Sequence, residues 1–346
     1  MGEFSHKPVL LREVLTGLDI RPDGVYADGT LGGGGHAEAI LERIPNGTYI
    51  AVDQDPEALA AATARLAPFG DRLRVFRANY EQLPDILRRE APKGADGILL
   101  DLGVSSYQLD SPERGFSYRA DGPLDMRMDP DGPVTAADIV NTESQETITK
   151  ILRDYGEEKF AAVIARNIVS AREKAPIETT GQLTDIVRRS IPRKAQAGEG
   201  HPAKRTFQAL RIAANRELDV LEQTLDGLID VLAPGGRLAV ITFHSLEDRI
   251  VKNAFRTAEH PCICPPSFPV CTCGRVSKGK VITRKPILPS EEELAENRRA
   301  ASAKLRIFQK TPGSGFDAPV YGTLYPKGTK IKHLPDGTIE LIVPEE

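Results

Sequence analysis

Glycines and acids near the N-terminus are arranged as a nucleoside-binding site requires. The stretch from Asp28 to Glu38 reads DGTLGGGGHAE, and Asp53 ends the next apolar run, YIAVD. Glycines at a strand-to-helix turn let backbone N–H groups approach a ligand closely, and the helix N-terminus adds favourable polarity. A carboxylate at the end of the second strand can accept both hydroxyls of a ribose. The pattern therefore predicts a nucleoside cofactor.

The same turn narrows the choice of nucleoside. It lacks the Gly-Lys-Ser/Thr sequence of a P-loop, which argues against ATP hydrolysis and leaves NAD and S-adenosylmethionine. The methionine end of S-adenosylmethionine carries an ammonium, which Asp28, Asp101 and the GGGH turn could hold. Tyr80 follows the third apolar run and could pack beside an adenine, although a core aromatic would give the same pattern.

The elements that must position these residues alternate in a βαβ rhythm. Short, continuous apolar runs that alternate with helices indicate a parallel sheet buried on both faces. The predicted strands are Val25–Asp28, Tyr49–Asp53, Leu73–Arg77 and Ile98–Asp101, with helices at Ala37–Arg43 and Pro56–Leu66.

Beyond residue 110 the pattern changes to turns and then to helices only. Apolar residues there recur at steps of three and four, which is typical of amphipathic helices. The predicted helices are one that starts with a capping box of Thr142 and Gln145, two near 160–168 and 183–189, and a long one from Phe207 to Leu232. The strand Arg237–Phe243 then resumes the α/β rhythm.

These changes predict a helical domain inserted between the fourth and fifth strands. We expect residues 1–107 and 217–310 to form the α/β domain, residues 108–216 to form the inserted substrate-binding domain, and residues 311–346 to form a tail. The downstream predictions are a strand at Val281–Leu288, a helix capped by Ser290 and Glu293, a strand at Lys304–Gln309 and a hairpin at Asp336-Gly337.

Composition excludes several classes of protein. The chain has 346 residues, 40% hydrophobic and 27% charged, with a net charge of −4, as in an ordinary globular protein. No apolar run is long enough for a membrane span, and the acids and proline of the N-terminus are unlike a signal peptide. Four cysteines are too few for a disulfide scaffold, so we expect the reducing cytoplasm. Residues 193–216 and 275–310 are locally basic, which indicates contact with a polyanion.

Longer motifs carry a specific resemblance. The chain resembles the bacterial MraW family, the small-subunit ribosomal RNA methyltransferases H, over residues 6–307. The matching stretches include HKPVLLREVL, YADGTLGGGGH, AVDQDPEA, DLGVSS, GFSYRADGPLDMRMDP, HPAKRTFQALRI and FHSLEDRIVK. The family often has Phe where this chain has Tyr80, and residues beyond about 311 have no counterpart in it.

The resemblance implies a fold, a cofactor and a substrate. The implied fold is a class I S-adenosylmethionine-dependent methyltransferase, with a Rossmann-like, mostly parallel, doubly wound sheet and an inserted all-helical domain. The implied reaction is methylation of N4 of a cytidine in the decoding region of 16S rRNA, within the small ribosomal subunit. The implied cofactor contacts are Gly34, Gly35, His36, Asp53, Tyr80, Asp101 and Gln108.

The expected catalytic residues follow from the chemistry of methylating the N4 amine of a cytidine. The lone pair of this amine is delocalised into the ring, so the enzyme must accept its hydrogen bonds and orient it rather than form a covalent intermediate. Asp101, Ser105 and Ser106 follow the fourth strand, where such sheets bind ligands. Methylation at C5 would instead need a cysteine nucleophile there. All four cysteines lie at 262–273.

Two other groups of residues suggest chemistry less strongly. His244, Ser245 and Asp248 contain the residue types of a hydrolase triad, but adjacent residues on a strand point to opposite faces. We expect His244 or Ser245 to line the base pocket, and Glu247 and Asp248 to open the next helix. Cys262, Cys264, Cys271 and Cys273 form two CxC pairs, tighter than usual zinc spacing, which favours loop cysteines over a metal site and leaves metal binding open.

Two alternative functions and one RNA surface complete the expectations. A noncatalytic RNA-binding assembly factor and an NAD-dependent dehydrogenase share parts of the pattern, although the intact glycine turn disfavours the first. Lys204, Arg205, Arg211 and Arg216 could neutralise rRNA phosphates, with Arg205 and Arg216 on one face of the predicted long helix.

Overall fold

The computed structural model describes residues 8–196, 200–265 and 271–311, together with two strands at 330–333 and 339–342. The strands are β1 (Val25–Asp28), β2 (Thr48–Asp53), β3 (Leu73–Arg77), β4 (Ala95–Asp101), β5 (Leu232–Thr242), β6 (Gly279–Val281), β7 (Lys304–Lys310), β8 (Lys330–His333) and β9 (Ile339–Ile342).

Helices connect and cover these strands. They are α1 (Leu11–Leu18), α2 (Gly35–Leu41), α3 (Pro56–Leu66), α4 (Leu83–Glu90), α5 (Ser106–Asp110), α6 (Ala136–Thr142), α7 (Gln145–Gly156), α8 (Ala161–Arg172), α9 (Thr180–Ser190), α10 (Arg193–Gln196), α11 (Lys204–Asn215), α12 (Glu217–Asp230), α13 (Ser245–Glu259) and α14 (Glu291–Glu296). No helix of the described residues combines the length and apolar character needed to cross a bilayer.

Seven strands form one sheet in the order β3-β2-β1-β4-β5-β7-β6. Strands β1 to β5 pair in parallel, whereas β7 is antiparallel to both β5 and β6. The chain passes from β1 outward to β3 and then returns to β4 on the other side of β1. This reversal creates a crevice at the carboxyl ends of β1 and β4, where doubly wound sheets bind ligands. The expected mostly parallel α/β sheet is confirmed.

Apolar side chains form separate cores for the sheet and for the helical segment between β4 and α12. One core covers each face of the sheet, and Ile98 and Leu99, adjacent in β4, belong to opposite cores. A third core, from Phe116 to Leu210, is made only by the inserted segment. The alternation along β4 explains why its sequence is continuously apolar.

The prediction of one long helix is wrong, because the helix is interrupted at Arg216. This residue has a φ of 51°, in the left-handed region, and separates α11 from α12. Arg205 and Arg216 therefore do not share one helix face. Strand β5 starts at Leu232, which the prediction had placed in that helix.

Smaller predictions also need correction. Ser144, not Thr142, caps α7, because its side chain accepts a hydrogen bond from the Thr147 amide at 3.0 Å. Strand β6 is short, and Ile287 forms only an isolated bridge with Leu305 rather than continuing a strand. β8 and β9 pair antiparallel as a hairpin would, whereas Asp336 and Gly337 lie outside the described residues.

Candidate active site

A cavity of about 710 Å³ lies between the carboxyl edge of the sheet and the helical insertion. One wall is the glycine turn after β1, a second is the loop after β4, and a third comes from α11 in the insertion. Residues predicted for the site that line it are Gly35, His36, Asp53, Tyr80, Asp101, Ser105, Ser106 and Gln108. The fold therefore brings together residues from four separate parts of the chain.

The glycine turn owes its shape to positive φ angles. Gly32 and Gly34 have φ values of 51° and 76°, a backbone conformation that a Cβ atom disfavours. The Gly32 amide donates a hydrogen bond of 2.8 Å to Asp53, so the acid of β2 fixes the turn after β1. Gly34 does not line the cavity, and its contribution is the turn that starts α2. At Gly35, a Cβ would meet Pro8 at 2.5 Å.

Asp53 is held at the cavity wall by backbone donors. Its two carboxylate oxygens accept hydrogen bonds from the amides of Gly32 and Asp55, at 2.8 and 2.9 Å. Burial raises the pKa of Asp53 to about 6, and these backbone bonds limit the rise. Each carboxylate oxygen can accept more than one hydrogen bond, so the group retains acceptor sites for a ribose.

Asp101 is the least satisfied acid of the cavity. Its Oδ1 atom is buried and has no hydrogen-bond partner among the described residues. Burial raises its pKa to about 8, and the charges of Asp28 and Glu247 add to this rise. A buried carboxylate without a partner costs free energy unless a cation or donor reaches it. The position therefore suits a positively charged ligand.

Asp28 does not line the cavity, and its carboxylate is engaged by hydrogen-bond donors of the protein. It accepts hydrogen bonds from the Thr30 amide at 2.8 Å and from the Tyr49 hydroxyl at 3.1 Å. Burial raises its pKa to about 6, against the effect of these bonds. Since Asp28 is only 1% exposed, it supports the negative potential of the site rather than touching a ligand.

His36 is a neutral side chain beside Asp101. Its Nε2 atom lies 3.0 Å from the Val9 carbonyl, which can only accept, so Nε2 carries the proton. Nδ1 is then an acceptor and lies 3.7 Å from Asp101 Oδ2. Burial lowers the pKa of His36 to about 4, so this ring does not supply the missing cation.

Ser105 and Gln108 build the loop after β4. The Ser105 hydroxyl accepts a hydrogen bond from the Gln108 amide at 3.2 Å, while the Gln108 side chain accepts one from the Ser105 amide at 3.0 Å. Gln108 also donates to Asp55 at 2.8 Å, so both ends of its side chain are engaged. Ser106 begins α5 on the cavity wall.

Sequence reasoning missed the network beneath that loop. Asp55 caps α3 through the Glu57 amide and also accepts hydrogen bonds from Gln108 and Arg114, each at 2.8 Å. Arg114 in turn donates to the Arg127 carbonyl in the insertion. The AVDQDPEA motif contains Asp55, but a helix cap was its only evident role. The network ties the second strand loop to the insertion.

Arg211 is a structural residue of the cavity rather than a phosphate ligand. Its side chain is only 16% exposed and makes two hydrogen bonds of 2.8 Å to Glu217. The expected phosphate contact is thus unsupported for Arg211. Lys204 and Arg205 are exposed at the start of α11, and Lys204 lines the cavity. Tyr80 also lines the cavity, with its hydroxyl 3.5 Å from the Glu217 carbonyl.

His244 and Glu247 form a capping pair at the start of α13. Each side chain accepts a hydrogen bond from the backbone of the other, and His244 Nε2 lies 3.1 Å from Glu247 Oε1. Burial raises the pKa of Glu247, but hydrogen bonds from His244 and the Phe243 amide, together with the charge of Arg211, outweigh burial and hold this pKa below its ordinary value. Both residues line the cavity.

The residues of a hydrolase triad are not assembled. Ser245 donates a hydrogen bond to Glu157 at 3.0 Å, and Asp248 accepts two from Arg306 at 2.6 and 3.0 Å. Neither Ser245 nor Asp248 contacts His244 as a triad requires. The side chain of Asp248 therefore anchors α13 to β7.

The sheet order and the acidic ligand crevice define a class I, Rossmann-like methyltransferase fold with an inserted helical domain. The chain belongs to the MraW methylase family, whose model matches residues 3–311.

Relatives of this family match nearly the whole of their own length. Ribosomal RNA small subunit methyltransferase H 2 of Agathobacter rectalis is 58% identical over 310 residues, which cover 89% of this chain and 99% of that protein. Ribosomal RNA small subunit methyltransferase H of Lachnospira eligens is 57% identical, with 89% and 98% covered. That of Carboxydothermus hydrogenoformans is 54% identical, again with 89% and 98% covered.

The expected cofactor, S-adenosylmethionine, is confirmed by the methylase family. The residues present also fit this group. The cavity has an unpartnered buried oxygen on Asp101, which suits a cationic group of the cofactor, and an acid at Asp53 with acceptor sites for its ribose. Its glycine turn has no side chains that would fill the crevice.

Proposed function

We propose that this chain transfers a methyl group to N4 of a cytidine in the decoding region of 16S rRNA, within the small ribosomal subunit. The observation that carries the proposal is the cavity itself, which joins the cofactor crevice of the sheet to the helical insertion. The names of the relatives support ribosomal RNA of the small subunit as the substrate class. The choice of N4 rests on the family resemblance and on the chemistry of the cavity.

The catalytic roles follow from what an aromatic amine needs. S-adenosylmethionine, when bound, supplies the methyl group. Asp101 would accept a hydrogen bond from the N4 amine, which concentrates its lone pair on nitrogen, and would take up the proton that nitrogen loses. The pKa of Asp101 is about 8 in the ligand-free cavity, and a bound cationic cofactor would lower it, so that the carboxylate is ionised and able to accept that proton. Ser105 and Ser106 would supply further polar contacts to the base.

Cofactor binding would use the other predicted residues. Asp53 would accept the ribose hydroxyls, Tyr80 would pack beside the adenine, and the Gly35 and His36 end of the turn would contact the methionine moiety. Gly34 would act by shaping that turn, since it is absent from the cavity wall. Gln108 would contact the cofactor, and its hydrogen bond to Asp55 would hold the loop after β4 in place.

Carbon methylation is the chemical alternative within the same family of reactions. It needs a cysteine nucleophile that attacks the pyrimidine ring. Among the described residues, no cysteine lines the cavity. A product methylated at nitrogen is therefore the expected one.

We assign RNA binding to the insertion, residues 108–216, and catalysis to residues 1–107 and 217–310. The separate core of the insertion supports this division, and exposed Lys204 and Arg205 lie where it meets the cavity. Residues 311–346 form the tail of this scheme. Since small ribosomal subunits are the substrate, we expect the enzyme in the cytoplasm.

The test is methylation of unmodified small subunits. The full chain is incubated with labelled S-adenosylmethionine and subunits from cells that lack this modification, and the rRNA is digested to nucleosides. Label in N4-methylcytidine is expected, and Asp101→Asn should remove it while rRNA binding persists. Label in 5-methylcytidine would overturn the choice of N4. RNA binding without any label would favour an assembly factor, and NAD reduction would favour a dehydrogenase.

A further inference from the structure

The four cysteines are not among the residues that line the cavity and form a cluster of their own. Cys262, Cys264, Cys271 and Cys273 all place their sulfur atoms within 4.8 Å of one another. They belong to the segment that connects α13 to β6. Cysteine sulfurs rarely gather in fours without a disulfide or metal to hold them, because free thiols gain little from mutual contact.

The sulfur–sulfur distances match a metal site better than disulfides. Cys271 Sγ lies 3.5 Å from Cys273 Sγ, 3.6 Å from Cys262 Sγ and 3.8 Å from Cys264 Sγ. A disulfide would need about 2.05 Å. In a tetrahedral site with zinc–sulfur bonds of about 2.3 Å, neighbouring sulfurs are about 3.8 Å apart.

The short spacing within each CxC pair is compatible with that geometry. Despite this spacing, both sulfurs of each pair lie within 4.8 Å of both sulfurs of the other pair, so all four can face one point. Backbone amides also donate to the sulfurs, since the Cys264 amide lies 3.3 Å from Cys262 Sγ and the Thr272 amide 3.3 Å from Cys264 Sγ. Such donors stabilise thiolates and orient them toward a metal.

The described residues around the cysteines have few other contacts that could stabilise them. In the described parts of the connecting segment, residues 260–265 and 271–275, no apolar side chain is buried, and Ile263 is 66% exposed. These described parts of the segment thus contribute no apolar core, whereas a metal can supply a cross-link between them. Its ends are already joined, because the Lys278 amide donates to the Ala258 carbonyl at 2.9 Å.

The charges of neighbouring residues also favour a metal-thiolate centre. A divalent cation with four thiolates carries a net charge of −2, and the chain just beyond the cluster is basic. Residues 275–285 contain Arg275, Lys278, Lys280, Arg284 and Lys285 and no acid. An anionic centre among these cations is favourable.

We propose that Cys262, Cys264, Cys271 and Cys273 bind one zinc ion as a closed structural site that fixes the connection between α13 and β6. Each thiol loses its proton as it coordinates the metal, and four protein ligands leave no open position for a substrate. Zinc is favoured over harder cations because all four ligands are sulfur. The proposal is independent of the reaction in the cavity.

The first test is metal content. The full chain, purified without a chelating tag under reducing conditions, should hold about one zinc per molecule by elemental analysis. Cys264→Ser/Cys273→Ser removes one ligand from each pair and should weaken zinc binding by more than about 100-fold, beyond the loss caused by changing an outer partner of a metal. Ile263→Ser is the matched control, because this exposed residue lies between two of the cysteines and should leave zinc content unchanged.

A second test does not depend on the folding of a variant. Cobalt exchanged into the wild-type chain should give the intense visible bands of a tetrahedral tetrathiolate. A chelator should then increase hydrogen exchange in the connecting segment without changing exchange in β1 or β2. Four titratable thiols with no metal, two disulfides, or the brown colour of an iron–sulfur cluster would each overturn the zinc assignment.

Discussion

Cofactor affinity should fall as the pH is lowered from 8 to 6, because Asp101 must lose a proton to hold a cation. The pKa of this carboxyl is raised to about 8 in the ligand-free cavity, by burial and then by the charges of Asp28 and Glu247. A bound ammonium or sulfonium would stabilise the carboxylate and return the pKa toward its ordinary range. Binding would therefore release a proton wherever the pH lies below the ligand-free pKa.

The magnitude follows from linkage between binding and protonation. With a ligand-free pKa of about 8, affinity rises by up to about tenfold, or about 1.4 kcal/mol, for each pH unit below 8. The Asp101 side chain is 26% exposed, and solvent screening makes the rise of its pKa smaller, which narrows the pH range of this dependence. We expect a total gain of about 10- to 100-fold between pH 6 and pH 8, with a plateau above. Below pH 6, Asp28 and Asp53 should steepen the loss, since the pKa of each is about 6.

Calorimetry measures both the affinity for the cofactor and the number of protons released on binding. Titrations at pH 7 in buffers with different ionisation enthalpies should show release of up to about 0.9 proton, the protonated fraction of a group with a pKa of about 8. Asp101→Asn is the control, because the amide has nearly the same shape and does not titrate. The difference between wild type and variant also removes the contribution of the cofactor amine. An affinity that is constant between pH 6 and 8, with no proton released by the wild type, would refute the assignment.

Three further changes test the turn, the ribose contact and the RNA surface. Asp53→Ala should weaken S-adenosylmethionine binding by about 1.5–3 kcal/mol in calorimetry, since a charged acceptor is lost. Gly34→Ala, at a φ of 76°, should lower the free energy of unfolding by about 1–2 kcal/mol in urea titrations. Lys204→Ala/Arg205→Ala should weaken rRNA binding and flatten the log K against log salt slope by about 0.7–0.9 per lost phosphate contact, without changing cofactor affinity.

Each of these outcomes has a contrary result. Unchanged cofactor affinity in folded Asp53→Ala would remove this residue from the ribose site. Wild-type stability of Gly34→Ala would show that the turn tolerates a side chain. Arg153→Ala is the control for the RNA surface, as another exposed arginine of the insertion. If the double variant keeps the wild-type salt slope, the RNA surface lies elsewhere, and the basic stretch at 275–310 becomes the next candidate.

Local sequence patterns were sufficient for most of the sheet. Val25–Asp28 and Leu73–Arg77 were predicted with the bounds that the structure shows, because short apolar runs between turn residues allow few other structures. The position of Asp53 at the end of β2 and of Asp101 at the end of β4 follows from the same runs. Parallel strands bring such ends to one edge, so the place of the site was predictable as well.

Local sequence patterns do not predict the burial and hydrogen-bond partners of the site residues. That Asp101 has a buried, unpartnered oxygen depends on Asp28, Glu247 and His36, which come from three other segments. The role of Gln108 depends likewise on Asp55. Burial and pairing across the fold are tertiary properties, and neither residue spacing nor composition encodes them directly.

The break at Arg216 shows how tertiary contacts override a helical pattern. Apolar residues recur at steps of three and four through the break, so the periodicity predicts one helix. Asn215 nevertheless accepts a hydrogen bond from the Met128 amide and donates one to the Met126 carbonyl, each at 2.7 Å. These bonds fix the end of α11 to a turn in the insertion.

The break in turn determines what Arg211 can do. In a continuous helix, residues six apart are separated by about 240° around the axis and face different directions. The left-handed residue Arg216 turns the chain so that Glu217 meets Arg211 with two hydrogen bonds of 2.8 Å. An arginine paired in this way is unavailable to phosphate, yet it places a fixed positive charge near Glu247 at the cavity. The same break that ends the predicted RNA-binding face therefore lowers the cost of burying Glu217 and Glu247.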